Sequence, residues 1–410
     1  MPTPFTVPAS GTIDYQSFRA TTNFTEDKWV QAIEIRPGTR RVVHHVLLFA
    51  SDPGAATHRS PWVIKNPEAP PGLAQRLLEA RRAEGRVPQR DAERDRAVLI
   101  ASTAPGTNAV TFEPGTALLV KAGSVLTFQV HYTAMGEAET DRTSVGLVFA
   151  RETPRQEIHM GAFTNALFSI PPGENDQRVA SAIEFRDDSH IWALFPHTHL
   201  RGKDWEYRLV YPDGRSEVVL SVPKYDFNWQ TYYEYSKPIA VPKGSRLEAV
   251  AHYDNSTRNK SNPNPNIEVF WGDQTWNEMQ YSGITYTIDT KTAASDTTQP
   301  VAKTLTAVTP STINGNWTLT LETPRGAMES VLVVKIAGED VSGTMRDPFG
   351  GSDAAIKGTF KGQELLFTTT LNGPQGPIEL HMRGTVSGDE VTGSFSVGPI
   401  SGAFTAKRAS

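Results

Sequence analysis

Four of the ten histidines in this 410-residue chain fall in two short apolar runs. One is Arg41-Val42-Val43-His44-His45-Val46-Leu47-Leu48-Phe49, the other Phe195-Pro196-His197-Thr198-His199. An imidazole buried among hydrocarbon is costly unless something binds it, so pairs of them in hydrophobic strands point to a metal ion. On a strand, residues two apart project from one face, and His197 and His199 can therefore converge on a single ion. Adjacent residues face opposite ways, so His44 and His45 can share an ion only where the backbone bulges. A further strand-like run, Leu126-Thr127-Phe128-Gln129-Val130-His131-Tyr132, has an apolar face and carries His131; with the His-His pair it makes a three-imidazole site. The His-x-His pair needs another ligand that spacing does not choose: His190, His252, Met135, Met160 and Met279 are all open. A thioether would select copper, Cu(I) above all, whereas zinc would take a histidine or carboxylate.

Composition narrows the chemistry. The chain has no cysteine, which excludes disulfides, thiolate zinc sites, iron–sulfur clusters and blue copper. Charged residues make up 21% and the net charge is −5, a balance with no electrostatic footprint for nucleic acid. No stretch reaches the roughly twenty apolar residues that span a bilayer. Met1-Pro2-Thr3-Pro4 lacks the basic start and apolar core of a secretory signal, so export predicts a leader removed ahead of this sequence.

The elements that must position these side chains read as strands. Thirty-two glycines and 29 prolines punctuate short runs rich in Val, Ile, Thr and aromatics, the pattern of an all-β chain with sandwich architecture. Helical periodicity is clear only over Leu73–Arg82, where Leu73, Leu77 and Ala80 share a face; it opens a charged helical insertion over about 70–97. Four regions follow: strands around His44-His45 over 1–153, a second strand set with the His-x-His over 154–289, a polar linker over 290–310, and a Gly-rich β module over 311–410. That module repeats internally, because Pro324, Gly326, Gly338 and Gly343 recur fifty positions later as Pro374, Gly376, Gly388 and Gly393. The repeat predicts a small pseudo-symmetric barrel or sandwich. We expect it to bind a carbohydrate or a surface, or to act as a stabilising cap.

Four motifs in order, His-His-Val-Leu-Leu-Phe, Phe-Gln-Val-His-Tyr, His-Thr-His-Leu-x-Gly-Lys and Asn-Glu-Met, resemble the copper type II, ascorbate-dependent monooxygenases, the group of dopamine β-monooxygenase and peptidylglycine α-hydroxylating monooxygenase. The resemblance covers roughly residues 12–289, and the surrounding segments look more like bacterial members than animal ones. It implies two jelly-roll-like β-sandwich domains, each carrying one copper ion, with a solvent-facing cleft between them. His44, His45 and His131 would hold the electron-transfer copper; His197, His199 and Met279 would hold the catalytic, O2-binding copper. The implied reaction is hydroxylation of a C–H bond of a small organic substrate by O2, with ascorbate or another one-electron donor as external reductant, in a periplasmic or secreted setting.

Departures from the family bear on substrate. Animal members carry disulfides and this chain has none. Peptide-amidating members place an arginine two residues before the first histidine of His-x-His and a tyrosine four after the methionine, where both help hold the peptide carboxylate. Here those positions are Phe195 and Gly283, so the resemblance predicts an apolar or aromatic substrate beside Phe195 and Tyr281. Two other classes fit the same donors: a copper-binding or storage protein without turnover, and a zinc hydrolase using three histidines and a water.

Overall fold

The computed structural model describes residues 1–51, 60–70, 72–83, 97–104, 109–289, 313–323, 326–348, 352–373, 376–397 and 400–409. The linker expected over 290–310, the charged continuation of the helix beyond residue 83, and Pro324 and Pro374 of the repeat lie outside these residues. The described chain is nearly all strand and divides into two compact units. The first comprises Met1–Ala55, Arg96–Asn165 and Ile170–Thr298; the second comprises Ala56–Asp95, Ala166–Ser169 and Gln299–Ser410. No described helix is long and apolar enough to cross a membrane.

All the candidate ligands lie in the first unit. One four-stranded antiparallel sheet runs in the order Gln16–Thr21, Val125–Tyr132, Val43–Ser51, Val98–Thr103. It packs on the strands Ser144–Phe149, Lys28–Arg36 and Thr116–Val120 through a core that includes Val30, Ile33, Val46, Leu48, Leu126, Phe128 and Val130. Each such buried side chain contributes about 1.5–3 kcal/mol relative to exposure. Thr116–Val120 continues, by parallel pairing of Gln156 with Thr116 and Glu157 with Ala117, into Gln156–Thr164, Tyr281–Ile288, Ser189–His197 and Tyr233–Val241. A second antiparallel set, Gln177–Phe185, Arg246–Tyr253, Gly202–Val210 and Ser216–Val222, faces these strands. The two faces meet where the Phe163 and Tyr207 rings contact edge-on and Ser181 Oγ lies 3.2 Å from Ser282 Oγ. Strict alternation explains Arg246–Tyr253, in which Leu247, Ala249, Ala251 and Tyr253 are all fully buried while the residues between them face outward.

The second unit holds an up-and-down barrel. Its strands are Gly315–Thr323, Gly326–Ala337, Asp340–Met345, Ala354–Lys361, Glu364–Gly373, Gly376–Ser387, Glu390–Val397 and Ile400–Arg408. Each pairs antiparallel with the next, and the last returns to the first through Trp317↔Arg408 and Leu321↔Phe404. Closure removes every edge. The fifty-residue repeat is structural as well as sequential: Trp317 and Phe367, Leu332 and Met382, Val341 and Val391, and Met345 and Phe395 are buried pairs of one core. Gly343 and Gly393 sit where a Cβ would overlap the carbonyl oxygens of Val333 and Arg383, each ten residues upstream. The helix Leu73–Ala83 also belongs to this unit, with Leu73 and Leu77 buried, as does Trp62–Ile64, whose Val63 pairs in parallel with Ala327.

Candidate metal centre

His45 and His131 are direct cross-strand partners. Between Val43↔Tyr132 and His45↔His131 the register slips by one residue, so His44 is an extra residue in its strand. This bulge meets the condition that the adjacent pair requires, because it turns His44 toward the same side as His45. The ligand nitrogens of His44, His45 and His131 all lie within 4.8 Å of one another. His44 Nδ1 and His45 Nδ1 are 3.2 Å apart, and His131 Nδ1 is buried without a hydrogen-bond partner. Two imidazole nitrogens bound to one ion at about 2.0–2.1 Å and a tetrahedral angle are about 3.3 Å apart. The trio therefore fits a metal, and an orphaned buried nitrogen is what such an ion would satisfy.

Electrostatics agrees with the geometry. Burial, then repulsion from the other histidines, holds His45 well below the usual imidazole range. Burial and His44 bring His131 to about 4, and burial lowers His44. All three are neutral at pH 7, the state that binds metals. Tyr15 covers the trio, stacking on His131 at 4.8 Å between ring centroids and tilted over His45 at 5.4 Å.

The second group is built differently from the regular strand expected for it. The strand ends at His197, opposite Tyr281, and His199 lies in the turn that follows. The two rings nevertheless converge, with centroids 5.3 Å apart and planes at 86°. The turn is tight enough that a Cβ on Gly202 would overlap Thr198 Oγ1, which accounts for the glycine in His-Thr-His-Leu-x-Gly. Tyr225 Oη pins Thr198 by accepting from its N–H at 3.2 Å and donating to its carbonyl at 3.0 Å. His197 Nδ1 donates to Gln230 Oε1 at 2.7 Å, and His199 Nδ1 donates to the Asn277 carbonyl at 3.2 Å. Each bond fixes a tautomer with the proton on Nδ1 and leaves the Nε2 lone pair able to bind a metal. Burial brings His197 to about 4 against the pull of Gln230, and holds His199 well below its usual range.

Glu278 organises this second group. Its buried carboxylate accepts from the backbone N–H groups of Arg201 at 2.6 Å, His199 at 2.8 Å and Met279 at 3.3 Å. Burial pushes the carboxyl up to about 7, opposed by those three donors and by the Arg201 charge. Arg201, also fully buried, donates from Nε to Asn255 Oδ1 at 2.8 Å and from Nη1 to the Trp276 carbonyl at 2.9 Å. Met279 is half-buried, and its carbonyl accepts from Tyr253 Oη at 2.7 Å. One carboxylate thus ties the Asn-Glu-Met segment to the His-Thr-His turn.

Other candidates are engaged elsewhere. His190 Nδ1 is 2.8 Å from Asp289 Oδ1 and His252 Nδ1 is 2.6 Å from Asp204 Oδ1. Met160 is buried in the hydrophobic core, and Met135 is exposed. Phe195 lies parallel to His197 at 6.3 Å and against Tyr232 at 4.7 Å, while Tyr281 stands edge-on to His197 at 6.0 Å. Phe195 is paired with Gly283, where a Cβ would come within 2.8 Å of the Phe195 Cβ. The two positions that depart from peptide-amidating members are thus one packed pair.

Both histidine groups open on one cavity of about 940 Å³, whose wall includes His44, His131, His199, Phe227, Tyr225 and Trp276. Phe227 stacks on His44 at 5.1 Å and 16° and meets His199 edge-on at 6.2 Å and 87°. Sequence reasoning missed Tyr15, Tyr225, Phe227 and Gln230. The local signal was aromatic density, since Tyr225, Phe227, Trp229 and Tyr232 fall within eight residues that show neither strand nor helix periodicity.

Residues 158–301 match the family described as copper type II ascorbate-dependent monooxygenase, C-terminal domain. The match includes His197, His199, Glu278 and Met279, and His44, His45 and His131 precede it. Comparison with curated proteins gives no match. Over residues 158–301, about a third of its length, the chain is similar to the C-terminal domain of the copper type II ascorbate-dependent monooxygenases.

Proposed function

We propose that this protein is a copper-dependent monooxygenase that hydroxylates a C–H bond of a small apolar or aromatic substrate, using O2 and an external one-electron donor such as ascorbate. The observation that carries it is the meeting of two unequal histidine groups on one cavity. His44, His45 and His131 would hold an electron-transfer copper in an all-imidazole site. His197, His199 and Met279 would hold the copper that meets O2, the soft thioether favouring Cu(I). Copper supplies the redox chemistry when bound. The chain's own residues hold its donors ready. Gln230 and the Asn277 carbonyl set the tautomers of His197 and His199, Glu278 fixes the turn that carries His199, and burial favours the unprotonated form of the five imidazoles of the two groups. Phe195 and Tyr281 put aromatic surface beside His197, which supports an apolar substrate over one with a carboxylate. The two sandwich halves, 1–153 and 154–289, would each contribute one site, in a periplasmic or secreted enzyme. The core of the barrel is filled by side chains, so the outer face of its described strands is what it would offer to a carbohydrate or a surface.

Copper-loaded protein supplied with ascorbate and a panel of small aromatic compounds tests the reading. We expect about two coppers per chain and ascorbate-dependent O2 uptake matched by products heavier by one oxygen atom. Two coppers with no product would favour a binding protein, and one zinc per chain would favour a hydrolase.

A further inference from the structure

We propose that Phe227 is a shared positioning residue, a single ring that orients His44 of the trio and His199 of the pair together; the proposal rests on the two-site reading above. His44 is the residue that most needs such support. Its bulge takes it out of the regular ladder, and it is the least buried of the trio. The Phe227 ring lies nearly parallel to it at 5.1 Å, so the imidazole plane has a wall on that side. The same ring presents itself edge-on to His199 at 6.2 Å.

Phe227 is itself held by the second group. Its carbonyl accepts from Gln230 Nε2 at 2.8 Å, and the Oε1 of that side chain accepts from His197 Nδ1 at 2.7 Å. Asp226 closes the turn, its Oδ1 accepting from the Asn228 N–H and its carbonyl from the Trp229 N–H, both at 2.9 Å. Tyr225, two residues earlier, grips both backbone groups of Thr198 between the two histidines. The segment 225–230 is thus fastened to the His-Thr-His turn and offers one aromatic ring to the trio. Loss of that ring should disturb metal affinity in both groups at once, which a purely local contact would not do.

The test uses Cu(I) alone, with affinity read by competition against a chromophoric chelator on the full chain. His45→Ala leaves the pair as the intact site, and His197→Ala leaves the trio. Adding Phe227→Ala to each background is expected to weaken Cu(I) binding by roughly tenfold in both, the lower end of losses seen when support around metal ligands is removed. Phe227→Tyr, which keeps the ring, should restore both, and an unchanged near-UV circular dichroism spectrum separates the effect from misfolding. A loss confined to one background, or no loss in either, overturns the proposal. Should the His45→Ala and His197→Ala proteins each fail to retain one copper, the two-site reading itself falls and takes this one with it.

Discussion

Replacing Glu278 by glutamine changes one oxygen for an amino group and leaves the shape alone. The two carboxylate oxygens divide their work: Oε1 accepts from the Arg201 N–H, and Oε2 accepts from His199 and Met279. An amide has a single acceptor oxygen, so its best orientation keeps His199 and Met279 and turns its NH2 group against the Arg201 N–H. One charge-assisted bond worth about 1.5–3 kcal/mol is lost. The buried Arg201 guanidinium, whose own hydrogen bonds go to Asn255 Oδ1 and the Trp276 carbonyl, also loses the longer-range attraction of the carboxylate. The burial that lifts the carboxyl to about 7 marks a desolvation cost that the amide escapes and that offsets this second loss, so we expect about 3 kcal/mol in all, the upper end for the lost bond. For a unit of this size, at about 2 °C per kcal/mol, the melting midpoint should fall by about 6 °C. Thermal denaturation measured by circular dichroism reads this directly. Chelator competition should show weaker copper binding at His197 and His199 with the trio unaffected. A midpoint within about 1 °C of wild type, with copper affinity unchanged, would refute the role assigned to Glu278.

Gln230→Leu strips His197 Nδ1 of its acceptor and should weaken metal binding at the pair by about 10–100-fold, with a smaller loss at the trio because Gln230 also holds the Phe227 carbonyl; an unchanged affinity at the pair would count against the assignment. Gly202→Ala forces a methyl group onto Thr198 Oγ1 in a turn fixed on three sides, and should cost about 1–3 kcal/mol of stability, measured by chemical denaturation, together with copper occupancy at the pair. In the barrel, Gly343→Ala and Gly393→Ala each drive a Cβ into a facing carbonyl. Limited proteolysis should find both variants opened to a similar degree, and a strong effect at only one of them would argue against structural equivalence of the two repeats.

Much of the architecture was legible because it depends on contiguous residues. Short runs rich in Val, Ile, Thr and aromatics between glycines and prolines mark the strands, the spacing of Leu73 and Leu77 marks the one described helix, and a fifty-residue recurrence marks the barrel as two matched halves. Donor chemistry is also local: the absence of cysteine and the clustering of histidines in hydrophobic runs restrict any metal to imidazole, carboxylate and thioether ligands. Register and side-chain direction are not local. His44 joins its neighbours only because pairing with Val125–Tyr132 slips at that residue, and His199 reaches His197 from a turn, not from the strand that a two-residue spacing implies. Gln230 lies 33 positions from the His197 it orients, and Glu278 lies 79 from the His199 backbone it holds. No periodicity links such residues; packing in three dimensions does. Residue types and spacing put side chains able to bind a metal into hydrophobic runs, and the tertiary structure decided that two unequal sets of histidines face one cavity across a single phenylalanine ring.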